Sequence, residues 1–345
     1  DLAVEVSIAA TANAEEDATD GEFRISLDKA LSTALTVNLS TSGTATNGTD
    51  MATMATSVEI PAGDTEVTTP IEVSSDAIAE GTETVILTLG SNSGAPTGVT
   101  VSNNATNSAT ANIVDNDLAV EVSIAATANA EEDATDGEFR ISLDKALSTA
   151  LTVNLSTSGT ATNGTDMATM ATSVEIPAGD TEVTTPIEVS SDAIAEGTET
   201  VILTLGSNSG APTGVTVSNN ATNSATANIV DNDLAVEVSI AATANAEEDA
   251  TDGLFTISLD KALSTALIVN LSTSGTATNG TDMATMATSV EIPAGDTEIT
   301  TPIQVISDAI AEGTETVILT LGSNSGAPTG VTVSNNATNS ATANI

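Results

Sequence analysis

The chain repeats itself with a period of 116 residues. The opening Asp1-Leu2-Ala3-Val4-Glu5-Val6 returns at Asp117 and again at Asp233, and the first two copies agree at every position. The folding problem therefore reduces to one unit solved three times, and each unit is long enough to bury its own core. Three domains are expected, at 1–116, 117–232 and 233–345. Tandem copies add length and valency without adding new chemistry, which favours an architectural role over an enzyme. The chain opens on the last residue of a recurring Asp-Asn-Asp triplet and stops just short of another. That phase predicts an excerpt of a longer array, in which no targeting segment is expected.

Within one unit, short runs alternate apolar and polar residues between clusters of Gly, Asn, Asp and Pro. Ala3–Ile8, Glu22–Leu27, Leu35–Ser40, Thr56–Ile60, Val67–Ser74, Thr84–Leu89 and Ser108–Val114 read as seven strands. Seven strands in about a hundred residues predict an all-β, immunoglobulin-like Greek-key sandwich. In Glu22–Leu27 the inward set is Phe23, Ile25 and Leu27. The strand ending at Val114 runs through Asp115-Asn116-Asp117 into the next opening strand with no Gly/Ser or Pro linker. Little hinge freedom follows, and an extended rod is expected.

Composition narrows the partners. Forty-eight acidic residues face 5 basic ones, a formal charge of −43. A surface of that sign repels phosphate backbones and anionic lipid, so nucleic acid is excluded as a partner and cations are favoured. No apolar run reaches the length of a membrane span, so no membrane insertion is expected. Without cysteine or histidine the chain has no thiolate or imidazole ligands and no Ser/His/Asp or Cys/His machinery. A glycosidase would need a tuned carboxylate pair and, usually, aromatic platforms. The only aromatics, Phe23, Phe139 and Phe255, occupy core-facing strand positions, so an enzyme is not expected.

The acids concentrate in loops: Glu15-Glu16-Asp17 and Asp20, then Asp50, then Asp76, Glu80 and Glu83, then Asp115 and Asp117. In a sandwich, alternate connections return to the same end, so these loops can converge. Two carboxylates about 4 Å apart repel by roughly 4 kcal/mol at an effective dielectric near 20, and a cation among them relieves that repulsion. An all-oxygen donor set favours Ca²⁺ over transition metals.

The ordered motifs Gly43-Thr44-Ala45-x-x-Gly48-x-Asp50, Ile60-Pro61-Ala62-Gly63-Asp64, Asp76-x-Ile78-x-Glu80-Gly81-x-Glu83 and Ile113-Val114-Asp115-Asn116-Asp117 together resemble the Calx-beta domain over nearly all of each repeat. The resemblance implies a seven-stranded sandwich that binds calcium at the end meeting its neighbour. By that resemblance the ligands are Glu15, Asp50, Asp76, the carbonyl of Ile78, Glu80, Glu83, Asp115 and Asp117. In the second repeat they are Glu131, Asp166, Asp192, Ile194, Glu196, Glu199, Asp231 and Asp233, and in the third Glu247, Asp282, Asp308, Ile310, Glu312 and Glu315. The family often carries an aspartate pair or triplet where this chain has Ser74-Ser75-Asp76-Ala77, and Asn116 interrupts the closing acids. Glu16, Asp17, Asp20, Asp28 and Asp64 read as solvated surface.

These readings converge on a calcium-stiffened structural repeat of a secreted or surface-anchored bacterial adhesin, matrix or filament protein, partnered end to end by further copies of itself. The alternative is a calcium-sensing array of the exchanger type; sensors need a partner that reads their state, for which one or two domains suffice. The third repeat differs from the first at Leu254, Thr256, Ile268, Ile299, Gln304 and Ile306, replacing Glu22, Arg24, Thr36, Val67, Glu72 and Ser74. Leu254 and Ile306 are expected on one outer face, where an apolar pair would suit sideways contact between rods.

Overall fold

In the computed structural model, which describes residues 2–309 and 312–345, the described residues form strands and turns without helix. The first repeat contains β1 (Ala3–Ala12), β2 (Ala14–Glu15), β3 (Gly21–Leu27), β4 (Leu35–Gly43), β5 (Ser57–Ile60), β6 (Glu66–Ile71), β7 (Ile78–Ala79), β8 (Glu83–Ser93), β9 (Thr100–Asn103) and β10 (Ser108–Val114). Two sheets face each other, ordered β6-β3-β1-β9 and β2-β10-β8-β4-β5. The seven expected strands all exist; Ser108–Val114 keeps its expected ends and the other six shift at one end or both. Pattern alone does not reveal β9, which lies parallel to β1 with Ala3 opposite Thr100 and Val6 opposite Asn103. Its Thr100-Val101-Ser102-Asn103 is too short and too polar to stand out from the surrounding Asn- and Thr-rich loop.

Side-chain alternation builds the core. Along β3 the residues Phe23, Ile25 and Leu27 turn inward, and Phe23 and Ile25 are fully buried. They meet Leu35 and Val37 of β4 and Val85 and Leu87 of β8. Met51 is also completely buried. Each repeat carries its own cluster of this kind.

The repeats touch through a small, specific junction. The two-residue strand β7 pairs in parallel with Ala146–Leu147 of the second repeat, Ile78 opposite Ala146 and Ala79 opposite Leu147. Ser148 N–H extends the pairing to the Ala79 carbonyl at 3.1 Å. Ala79 is fully buried and packs in the core of the second repeat rather than its own. The same contact recurs one period later, where Ile194–Ala195 pairs with Ala262–Leu263. Exposed surface reports the arrangement of the domains. The chain exposes 16358 Å², whereas one compact body of this mass would expose about 12,800 Å² and three separate thirds about 17,300 Å². The domains therefore meet at their junctions and hide little else from each other.

On the outer face of the third repeat, Leu254 pairs opposite Pro302 across its sheet and is half-buried. Ile306 is 40% exposed and lies beyond the end of the neighbouring strand Glu298–Ile303, its N–H donating to the Asp282 carbonyl. The alternation expected through Ser74 stops at Ile71, where β6 ends. Ile268 belongs to the other sheet.

Candidate metal centre

The junction-facing end of each sandwich gathers carboxylates from four loops. Asp50 is brought there by a tight turn in which its own N–H donates to the Thr46 carbonyl and its side chain accepts from Thr46 N–H. The turn is pinned by buried Met51, bridged to Val73, and by Ser74 N–H on the Asp50 carbonyl. Glu83 opens β8 opposite Ile113 of β10, and Glu80 lies in the intervening loop. One oxygen from each of Asp50, Glu80 and Glu83 falls within 4.8 Å of the others. The second repeat reproduces this triad with Asp166, Glu196 and Glu199, and the third with Asp282, Glu312 and Glu315.

Asp115 braces the loop that carries Glu80. One of its oxygens accepts from Glu80 N–H at 2.7 Å and Gly81 N–H at 3.0 Å, and the other accepts from Asp117 N–H at 2.7 Å. Asp76 bends the same loop by accepting from Ile78 N–H at 2.7 Å. Gly81 adopts φ +84°, and a Cβ there would lie 2.3 Å from the Thr213 carbonyl oxygen of the next repeat, so only glycine fits. The segment that supplies Glu80 is thus also the segment docked on the neighbour.

Glu16 joins the cluster, against the expectation that it belongs to the solvated surface. β2 pairs in parallel with the end of β10, Glu15 opposite Val114, and Glu16 N–H donates to the Val114 carbonyl at 3.1 Å. Strand alternation then decides the facing: Ala14 is buried, Glu15 exposed, and Glu16 only 5% exposed. Asp17, at φ 55°, turns the chain away, its N–H donating to Ser75 Oγ at 2.8 Å and its carboxylate accepting from Asn116 at 3.0 Å. The legible signal is the two-residue spacing from apolar Ala14, not the acidity of the run. Asp20 and Asp28 likewise hold backbone in place, accepting from Val73 N–H and Glu5 N–H.

The remaining expected ligands divide. Asp76 is exposed at the rim, close enough to raise the proton affinity of Glu16 and Glu80. Ile78 sits in β7 at the junction. Asp117 faces the neighbour, where Lys145 Nζ lies 2.8 Å from its carboxylate, and Asp233 meets Lys261 at 2.7 Å in the same way. Ile310 lies outside the described residues.

Crowding and burial appear directly in the proton affinities. Glu16, Glu80 and Glu83 are each pushed up to about 7, chiefly by burial. Neighbouring charges add to this: Asp115 and Asp76 act on Glu16, and Asp50 acts on both Glu80 and Glu83. The same rise occurs at Glu132, Glu196 and Glu199. Buried Glu132 Oε2 and Glu315 Oε2 have no hydrogen-bond partner within the protein. A partner for these oxygens has to be cationic or a donor, and a hard cation fits the all-oxygen set.

The Calx-beta domain family model matches residues 4–117, 120–233 and 235–345. The chain belongs to the Calx-beta family. Its three Calx-beta domains are all-β sandwiches in tandem. Among solved structures, CBD12 from CALX1.2 is similar at 18% identity, covering 65% of this chain and 99% of that one with a TM-score of 0.29. The apo form of the Calx CBD1 domain is similar at 27% identity over 32% of this chain and 98% of its own, TM-score 0.28. The Yersinia pseudotuberculosis adhesin InvE is similar at 9% identity over 66% of this chain and 58% of its own, TM-score 0.31. No curated protein sequence matches the chain.

Proposed function

We propose that this Calx-beta array is a calcium-stiffened structural segment of a secreted or surface-anchored adhesin, matrix or filament protein. One observation carries the reading: the Asp76–Glu83 loop both contributes carboxylates to the triad and docks through β7 onto the next repeat. Whatever fixes the loop fixes the junction. Asp50, Glu80 and Glu83 would hold the ion, with Glu16 beside them, Asp76 at the rim and the Ile78 carbonyl within the same loop. Asp115 serves first as the brace and Asp117 as the tie to Lys145. Glu15 belongs to the solvent side in this arrangement. On the proposed boundaries 1–116, 117–232 and 233–345 each centre would belong to its own repeat, and the long acidic surface would keep such a segment soluble and apart from nucleic acid.

The ion would neutralise carboxylates that otherwise repel one another beside a junction with no slack. Chelation is therefore expected to lower the melting temperature and to broaden the distribution of inter-domain angles. Scattering and thermal melts with calcium and with EDTA measure both. An unchanged melt and an unchanged maximum dimension would remove calcium from the account.

A further inference from the structure

We propose that a groove between β6 and the loop 52–56 receives a lysine side chain of a partner protein. The groove holds about 150 Å³ in the first repeat, with Met54, Thr69, Pro70 and Glu72 among its walls. It recurs one period later at about 160 Å³, with Met170, Thr185, Pro186 and Glu188 in the same places. The loop is pinned at three points. Ala52 N–H donates to the Glu72 carbonyl at 2.8 Å, Met54 N–H to Asn47 Oδ1 at 2.9 Å, and Leu39 N–H to the Thr56 carbonyl at 2.8 Å. The cleft is therefore formed before a ligand arrives, and little ordering is needed on binding.

A hydroxyl points to the ligand. Thr69 faces inward on β6 between Val67 and Ile71 and is only 6% exposed, yet its Oγ1 is buried without a hydrogen-bond partner. Thr301 repeats this in the third repeat, where it is 5% exposed. A buried hydroxyl left unpaired is destabilising, and valine would fill the same space without that penalty. Because Thr69 lines the groove, a donor placed there would satisfy it.

The walls select the donor. Ala52, Met54, Ala55 and Pro70 offer apolar surface, Thr69 a hydroxyl and Glu72 a carboxylate. One carboxylate and one hydroxyl are too few oxygens for calcium, which takes about six to eight. An ammonium group needs about three acceptors, and its methylene stem packs along apolar surface. At about 30 Å³ per water-sized group, the groove holds roughly five heavy atoms, matching the four methylenes and one nitrogen of a lysine.

The chain's own lysines are engaged elsewhere: Lys145 with Asp117, Lys261 with Asp233, and Lys29 with Asp28 and the Ala3 carbonyl. A formal charge of −43 favours a basic partner, and grooves one period apart let a partner with several lysines bind by avidity. The third repeat supplies a control within the same chain, because Gln304 stands there in place of Glu72. Glu72 and Thr69 lie outside the carboxylate triad, so the inference goes beyond the calcium reading.

The test is methyl NMR on the full chain in saturating calcium and about 150 mM salt, reading its 6 methionines. Met54 and Met170 line the two grooves, and Met286 is their counterpart in the third repeat. The probe is N-acetyl-lysine N-methylamide, and the uncharged control is N-acetyl-norleucine N-methylamide. The lysine probe is expected to shift the Met54 and Met170 signals saturably in the millimolar range, with the Met286 response and the norleucine probe each about tenfold weaker. Glu72→Gln with Glu188→Gln is expected to bring the first two signals down to the Met286 level. Glu59→Gln with Glu175→Gln, the same charge removed from the other sheet, should leave them within about twofold. Thr69→Val with Thr185→Val should weaken the probe about threefold while keeping or raising the melting temperature without it. Absence of a saturable shift at Met54 and Met170 overturns the inference. So does an equal response at Met286, which would mark general attraction of a cation to an acidic chain, or undiminished binding after Glu72 and Glu188 are replaced. The signals report the groove and not the triad, so failure here leaves the calcium reading standing.

Discussion

The first and third repeats assemble the same carboxylate triad in different surroundings. Asp50, Glu80 and Glu83 converge beneath a docked neighbour, with Asp115 holding the Glu80 and Gly81 amides from behind. Asp282, Glu312 and Glu315 converge as closely, beside Glu248 in an open cleft, but the sequence ends at Ile345 before any counterpart of Asp115 or Asp117. The two glutamates of each triad have raised proton affinity, caused first by burial. The difference teaches that the triad belongs to the sandwich itself, positioned by the turn at Asp50 and the start of β8. The brace and the cover belong to the connection between repeats.

The sharpest way to break this comparison is to remove the brace. Asp115→Asn together with Asp231→Asn deletes two anions and is expected to convert the first two centres into copies of the third. Calorimetric titration of the parent chain is expected to resolve two tighter sites and one at least tenfold weaker. The double variant should show three weak ones. Three equal sites in the parent chain would mean that the brace contributes nothing to affinity.

A smaller effect distinguishes two adjacent acids. Glu16→Gln, with Glu132→Gln, is expected to weaken calcium binding about tenfold, because one buried negative charge is lost from beside the proposed hard-cation centre. Glu15→Gln, with Glu131→Gln, should leave affinity within about twofold. The reverse order would return Glu15 to the ligand set.

The raised proton affinities predict a pH dependence with a definite sign. A carboxyl that titrates near 7 in the folded chain and near 4.5 when unfolded keeps its proton preferentially in the native state. That contribution to stability is complete below about pH 4.5 and is lost as pH rises through 7. In EDTA the melting temperature is therefore expected to fall between pH 5 and pH 8, while the increment added by calcium grows over the same interval. A metal-free melt that rises with pH would contradict the clustering.

The smallest expected change comes from Lys145→Ala, which removes a partly exposed ion pair with Asp117. Such pairs contribute about 1 kcal/mol or less. The melt should barely move, while fluorescence distance measurements across the first junction broaden in low salt. A shift comparable to chelation would make this pair, rather than the ion, the main tie between repeats.

The sequence by itself determined the repeat, the sandwich and the loops where acids collect. A period of 116 residues and a period of two are local regularities, visible without coordinates. Its ordered motifs, through their resemblance to the Calx-beta domain, implied a wider ligand set that includes Asp50, Glu80 and Glu83, and its alternation put Phe23 and Ile25 in the core. Only the tertiary structure decided which of Glu15 and Glu16 turns inward, because the answer depends on the register of β2 against β10. It alone showed Asp117 turned to Lys145, and Ala79 buried in the core of the next repeat. Pairing register and contact between domains join residues far apart along the chain, and no local pattern of side chains records where such partners meet.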